Sequence, residues 1–389
     1  MRIFTLITVL FLAAAGVFPA GAGYEVDWDQ EFTFGYGEVT GISLGNAADG
    51  TYFMSFVHLS LNTLESCVFD GTVSFPRVAD LGSTTHAYSS LAFPGSLTFV
   101  AYTDVTEDNI LYNYYDKDNG EWYPSGQQTF DTASARYPKM AVSSGEDYIV
   151  YSIQPVGLPD CFLRLAHNLE GPWTAETVTK ISSSGLHGSF DIGIDNNGDM
   201  HLVWWDEDTE QLKHAVRLGP SSYSIEVIAD PIVDCTWLEL EYMQPNIPVV
   251  GSLQTRIGQS DLVRVAYELS DVWYQESVYI SDNIQCVDMC LDPGGYFATP
   301  NWCFLLHEPD GFHCIHRSYP NWLDTHITDW PDISYADSLL LDWNPVRNEF
   351  GAFLNASGLG QSWFLTGRVV TPTPTGAPTG TPTPKPTKT

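Results

Sequence analysis

Three observations predict an all-β fold: a seven-bladed β-propeller of four-stranded antiparallel blades, the N-terminal strand closing the last blade. Apolar and polar residues alternate with a period of two along most of the chain. No strongly amphipathic helical pattern competes with them. Two independent markers recur about every 50 residues, the mark of a circular array of supersecondary units.

One unit can be read from "SFDIGIDNNGDMHLVWWDEDTEQLKHA". Phe190, Ile192 and Ile194 alternate with Asp191 and Gly193 and make a first strand. Asn197-Gly198 is expected to form a tight hairpin turn with positive φ at both central positions. Met200, Leu202 and Trp204 make the second strand. The acidic run "DEDTEQ" turns the chain, and Leu212, His214 and Val216 make the third. "YSIEVIA" makes the fourth.

The first-turn position recurs at Gly50, Gly95, Gly145, Gly198, Asn246, Gly295 and Asn348. An aromatic residue opens the fourth strand at Trp122, Trp173, Tyr223, Trp273 and Trp322, 49 to 51 residues apart, and earlier at Phe75 and Trp28. Both markers count seven. The last unit, "SLLLDWNPVRNEFGAFLNASGLGQSWFLTGR", holds only three strands. "YEVDWDQEFTF", near the N-terminus, resembles a fourth. That strand is therefore expected to complete the last blade, which removes exposed sheet edges.

The flanks differ from this array. Arg2, the apolar run Ile3 to Phe18 and the small residues Ala20-Gly21-Ala22 read as a secretion signal over 1–22. No later run has about 18 unbroken apolar residues, so no membrane insertion is expected. Residues 371–389 are Thr/Pro-rich and read as a linker or stalk. The propeller occupies 23–370. An exported or cell-surface protein follows, with no feature that asks for more than a monomer.

Sixteen Lys and Arg stand against 48 Asp and Glu, a formal net charge of −32. Such a surface excludes nucleic acid and anionic membranes as partners. Solubility explains the acidity, and calcium is the one cofactor it suggests. No intact calcium loop or other metal-ligand motif is present. Seven cysteines lie in the chain. Cys303 and Cys314 flank "FLLHEPDGFH" and are expected to pair across a hairpin. Cys235 and Cys286, at similar repeat positions, offer a bridge between units.

The stretch "SFDIGIDNNGDMHLVWW" resembles the repeats of exported bacterial propellers, degenerate sialidase-like units of the kind S-x-D-x-x-G-x-x-H-x-V-x-W. The resemblance covers most of 24–370 and implies the fold. The sialidase Asp-box, regular W-D endings and the kelch diglycine are absent. No G-x-S-x-G, H-E-x-x-H or phosphate loop appears.

Function in a propeller is expected in the loops that enter the innermost strands. About ten residues before the turn markers stand His86, Arg136, His187 and Trp237, spaced 50 or 51 apart. They are expected to ring one mouth of the channel, opposite Asn197-Gly198. As a set they suggest an anion site, since guanidinium binds a carboxylate bidentately. Trp237 would be an exposed stacking platform for a sugar. The structural alternative is that these side chains bond neighbouring loops. Asp104 and Asp206 follow aromatics at matching positions and serve as loop caps or as acid and base. His201 and His214 face each other on adjacent strands, as a buried pair or the start of a metal site. The twelve tryptophans are otherwise core.

Two functions follow. The first is a binding module that recognises a glycan, anionic ones included, or an extracellular protein through the top face. The second is a carbohydrate-active enzyme, a polysaccharide lyase or glycoside hydrolase. Some lyases of uronic-acid polymers are seven-bladed propellers with a loosely similar His/Arg rim. That resemblance implies Arg136 as the uronate clamp and His86 or His187 as the base. A structural surface protein is a third class.

Overall fold

A computed structural model describes residues 25–370 apart from short segments, chiefly 35–38, 75–85, 125–133, 293–300 and 328–335. The secretion signal and the Thr/Pro segment lie outside the described residues. So do Phe75 and the turn markers Gly95, Gly145 and Gly295.

Seven four-stranded antiparallel sheets form the fold. We number the blades by chain order: 39–74, 86–124, 134–182, 190–229, 235–281, 286–327 and 338–370. Each inner strand packs against the inner strand of the next blade, and the last packs against the first, so the ring closes. The N-terminal strand Glu25–Phe34 pairs with Gln361–Val370 and supplies the outer strand of blade 7. Trp28 packs there beside Phe350. Closure is reinforced by side chains of blade 7, where Asn344 Nδ2 donates to Gly50 O (3.0 Å) and Asn355 Nδ2 to Val39 O (3.1 Å).

The core lies between blades. The period-two alternation sends one face of each sheet toward each neighbour. Trp302, Phe304, Leu306 and Ile315 of blade 6 pack toward blade 5, whereas Cys303, Leu305 and Cys314 pack toward blade 7. Glycines admit close approach at a few points. A Cβ on Gly193 would sit 2.6 Å from the Tyr242 ring of the next blade.

Two local expectations are corrected. In the blade 4 turn only Gly198 takes positive φ, at +87°. Asp195 organises that turn instead, its Oδ1 accepting from Asn197 N (2.8 Å) and Asp199 N (2.9 Å). The seven cysteines are all free thiols. Cys303 and Cys314 approach to 3.5 Å between sulfurs, which is not bonding distance. The register explains this: Cys303 lies opposite His316 and Cys314 opposite Leu305, so the two are diagonal rather than facing. Cys235 and Cys286 contact the carbonyls of Trp237 and Ala336, not each other. No helix among the described residues is long and apolar enough to cross a membrane.

Candidate functional site

Every inner strand places one mid-strand side chain on the channel: Ser43, Ser90, Lys139, Asp191, Glu239, Asp288 and Asp342. They line a cavity of about 290 Å³. Trp237 sits one layer nearer the strand starts, and Glu241 one layer farther along.

The ring has a structural logic. Inner strands leave one edge unpaired, so their N–H groups need partners. Six of the seven blades supply an acceptor for the next. Ser43 Oγ accepts from Leu91 N (3.0 Å) and Ser90 Oγ from Met140 N (3.0 Å). Asp191 Oδ2 accepts from Leu240 N (2.8 Å), Glu239 Oε2 from Met289 N (3.2 Å), and Asp288 Oδ2 from Leu341 N (2.7 Å). Asp342 Oδ2 takes the Asn46 amide (2.6 Å) and closes the circle. Lys139 breaks the pattern, because an ammonium cannot accept.

Its role is electrostatic. Burial acts to lower the Lys139 pKa, but Asp191, Glu239 and Asp288 outweigh burial and hold it raised. The acids shift the opposite way to ordinary surface carboxyls. Burial raises Asp191, with Lys139 opposing. Burial and then Asp288 raise Glu239 well above the usual range. Burial pushes Glu241 up to about 8, and Asp288 and Asp342 each to about 6. The hydrogen bond between Glu239 and Asp288 raises the first and lowers the second. Burial thus favours the neutral form of Glu239 more than that of Asp288.

The chemistry of this cavity is that of two serines, several carboxyls raised by burial and one cation. Carboxylates and serines accept from hydroxyl or ammonium groups, and Lys139 donates.

The residues singled out by sequence sit at the same end of consecutive inner strands. His86 opens the blade 2 strand His86–Ala92, opposite Asp104. Arg136 lies early in Ser134–Ser143, His187 just ahead of Phe190–Ile194, and Trp237 early in Cys235–Met243. No hydrogen bond joins Arg136, His187 and Trp237 to one another among the described residues. Arg136 is held by Asp108 Oδ1 (2.7 Å) and by the Ala135 carbonyl (2.8 Å). His187 packs 5.6 Å from the Trp205 ring, and burial lowers its pKa. Trp237 is half-buried against blade 6 and donates Nε1–H to Asp288 Oδ1 (3.1 Å), so it orients a channel acid. Asp206 caps its loop at Thr209 N (3.0 Å) and pairs with Lys213 (2.6 Å). Asp104 is buried at the end of its strand, beside Asn109 on the next. His201 and His214 form a buried pair, Nδ1 to Nε2 at 2.9 Å, with Glu226 Oε1 on the far nitrogen (2.8 Å).

Sequence reasoning missed the ring itself. Its seven positions recur at intervals of 47 to 54 residues, a signal as regular as the turn markers.

No protein-family model and no curated protein matches the chain. Solved structures do resemble it. The polysaccharide lyase Uly1 aligns with a TM-score of 0.48 at 10% identity, over 91% of this chain and 90% of that one. The Aleuria aurantia lectin, in complex with alpha-methyl-L-fucoside, aligns at 0.45 and 13%, over 90% and 99%. A Trypanosoma rangeli sialidase aligns at 0.44 and 9%, over 85% of this chain. The chain spans 55% of that sialidase's length. At such identities the likeness is one of fold.

Proposed function

We propose that this protein is an exported or cell-surface β-propeller that binds a glycan, seating a neutral or amino sugar in the acid-lined channel cavity. The observation that carries this is the cavity itself. Its volume of about 290 Å³ lies at the small end of ligand pockets, on the scale of one sugar ring. Its walls offer hydroxyl acceptors on most blades and one donor, Lys139. The acid excess disfavours an anionic sugar, which would have to enter against four ring carboxylates. Arg136, the cation best suited to a uronate, is already paired with Asp108. The secretion signal over 1–22 and the Thr/Pro segment over 371–389 support export.

A second reading, glycoside hydrolysis, draws on one observation. Glu239, raised well above the usual carboxyl range, beside the less raised Asp288 is the composition of a glycosidase acid pair. Binding is preferred because both Asp288 oxygens are engaged, by Leu341 and by Trp237.

A glycan array with the full chain tests the proposal. Neutral or amino-sugar glycans should be bound, and Asp191→Asn should weaken them about tenfold to a hundredfold, the worth of a charge-assisted hydrogen bond. Binding confined to sulfated or uronic-acid glycans and indifferent to Asp191→Asn would overturn it. Release of reducing ends, abolished by Glu239→Gln, would favour hydrolysis.

A further inference from the structure

We propose a divalent-metal site of the zinc class on Glu308, Asp310 and His313, at the loop joining the second and third strands of blade 6. One ligand atom from each residue lies within 4.8 Å of the others. The hairpin brings them together. Asn301–Glu308 and Gly311–Ser318 are joined by Pro309-Asp310 alone, with Glu308 opposite Gly311. His313 lies opposite Leu306, two residues before Glu308, so the imidazole and the carboxylate share one face of the sheet.

Two features go beyond a surface cluster of acids. Glu308 is 7% exposed; the Tyr279 hydroxyl reaches its carboxyl group, and its Oε1 is buried with no hydrogen-bond partner among the described residues. An unsatisfied buried carboxylate oxygen is costly, and a cation removes that cost. The imidazole is also held as metal-bound imidazoles are. Asp324 Oδ1 takes the His313 Nδ1 proton at 2.9 Å, which leaves Nε2 turned to Asp310 Oδ1 at 3.5 Å. A carboxylate behind the ring fixes its tautomer and raises its basicity as a ligand. His326 stacks on the same ring at 4.8 Å between centroids and limits its rotation.

The ligand set points to the metal class. An imidazole with two carboxylates suits zinc and its neighbours better than calcium, which takes oxygen ligands almost alone. Zinc at its usual bond lengths would draw the ligand atoms to about 3.3 Å from one another. Asp310, exposed at the turn, supplies most of that closure by rotating. Three protein ligands leave a fourth position open to solvent.

The full chain, stripped with a chelator and dialysed, is titrated with zinc chloride by calorimetry, and separately with cobalt(II) by absorption. One zinc per chain is expected. Cobalt should give d–d bands without the thiolate charge-transfer bands that Cys303 and Cys314 would produce. Asp310→Asn, exposed and thus harmless to folding, should weaken zinc binding at least tenfold. Asp324→Asn should weaken it about tenfold to a hundredfold through the imidazole, with melting of the metal-free chain as the folding control. Failure to saturate, thiolate bands, or unchanged affinity in Asp310→Asn and His313→Ala would overturn the site.

Discussion

Two buried polar clusters of this propeller titrate in opposite directions. The channel ring holds carboxyls raised by burial, with Asp288 and Asp342 near 6 and Glu241 near 8. The imidazole row between the second and fourth strands of blade 4 holds His201 lowered to about 4, chiefly by burial and then by His214. His214 is lowered too, by burial against the pull of Glu226. One cause explains both, since burial penalises whichever form is charged. Linkage then gives opposite slopes. The channel acids bind more protons folded than unfolded. Their contribution is complete below the unfolded carboxyl pKa and is lost as pH rises through about 6 to 8. The histidines bind fewer protons folded. Their contribution is present above pH 6.5 and is lost as pH falls toward 4. Stability should peak between the two limbs.

Lys139 is the point at which to break the channel side. Lys139→Met keeps the length and removes the one cation among Asp191, Glu239 and Asp288. At pH 8, where those acids are most ionised, the loss should reach about 3 kcal/mol, as for a buried charge left without its partner. At pH 5, below the Asp288 value of about 6, less negative charge surrounds the site, and the loss should shrink below about 1 kcal/mol. Urea unfolding at both pH values measures this. An equal loss at both would mean that packing, not charge, is what Lys139 contributes.

The imidazole side is sharpened by His201→Phe. The unfolded pKa of histidine is about 6.5, so a folded value of about 4 implies on the order of 3 kcal/mol withdrawn on full acidification. His201→Phe should flatten most of that acid limb. At pH 8 it should cost only about 1 kcal/mol, for the hydrogen bond to His214. An acid limb unchanged in His201→Phe would assign the slope to other groups.

The two clusters were not equally legible. His201 and His214 lie on neighbouring strands of one meander, so period two and one turn length put them on one face, as a diagonal pair. Blade number and closure were legible for the same reason: turn glycines and outer-strand aromatics are local signals that repeat. The ring is not local. Its members are Ser, Asp and Glu, with Lys139 as the exception, and the acceptors share a job, taking an N–H of the next blade, rather than a letter. A search for recurring residue types passes over them. Trp237 shows the same limit. Its rim position was readable, but the direction of its indole is set by Gly251 and Met289 on other strands. The ring turns inward to Asp288 instead of outward to solvent.

Arg136→Ala gives the smallest effect and decides between rim and channel. The guanidinium of Arg136 joins the inner strand of blade 3 to Asp108 of blade 2, whose backbone carbonyl also accepts from Ala135 N (3.3 Å). The Arg136 side chain is 16% exposed and that of Asp108 is 42% exposed, so solvent screens the pair. Its removal should cost about 0.5–1 kcal/mol, less in high salt. Neutral or amino-sugar binding in the channel should be unchanged, because no ring side chain hydrogen-bonds Arg136 among the described residues. A protein that used the rim for an anionic glycan would behave differently. It would lose tenfold or more in affinity on Arg136→Ala, and more at low than at high salt. Glycan titrations of Arg136→Ala and Asp191→Asn in parallel separate these cases. Loss in Asp191→Asn alone places the sugar in the channel, and loss in Arg136→Ala alone returns it to the rim.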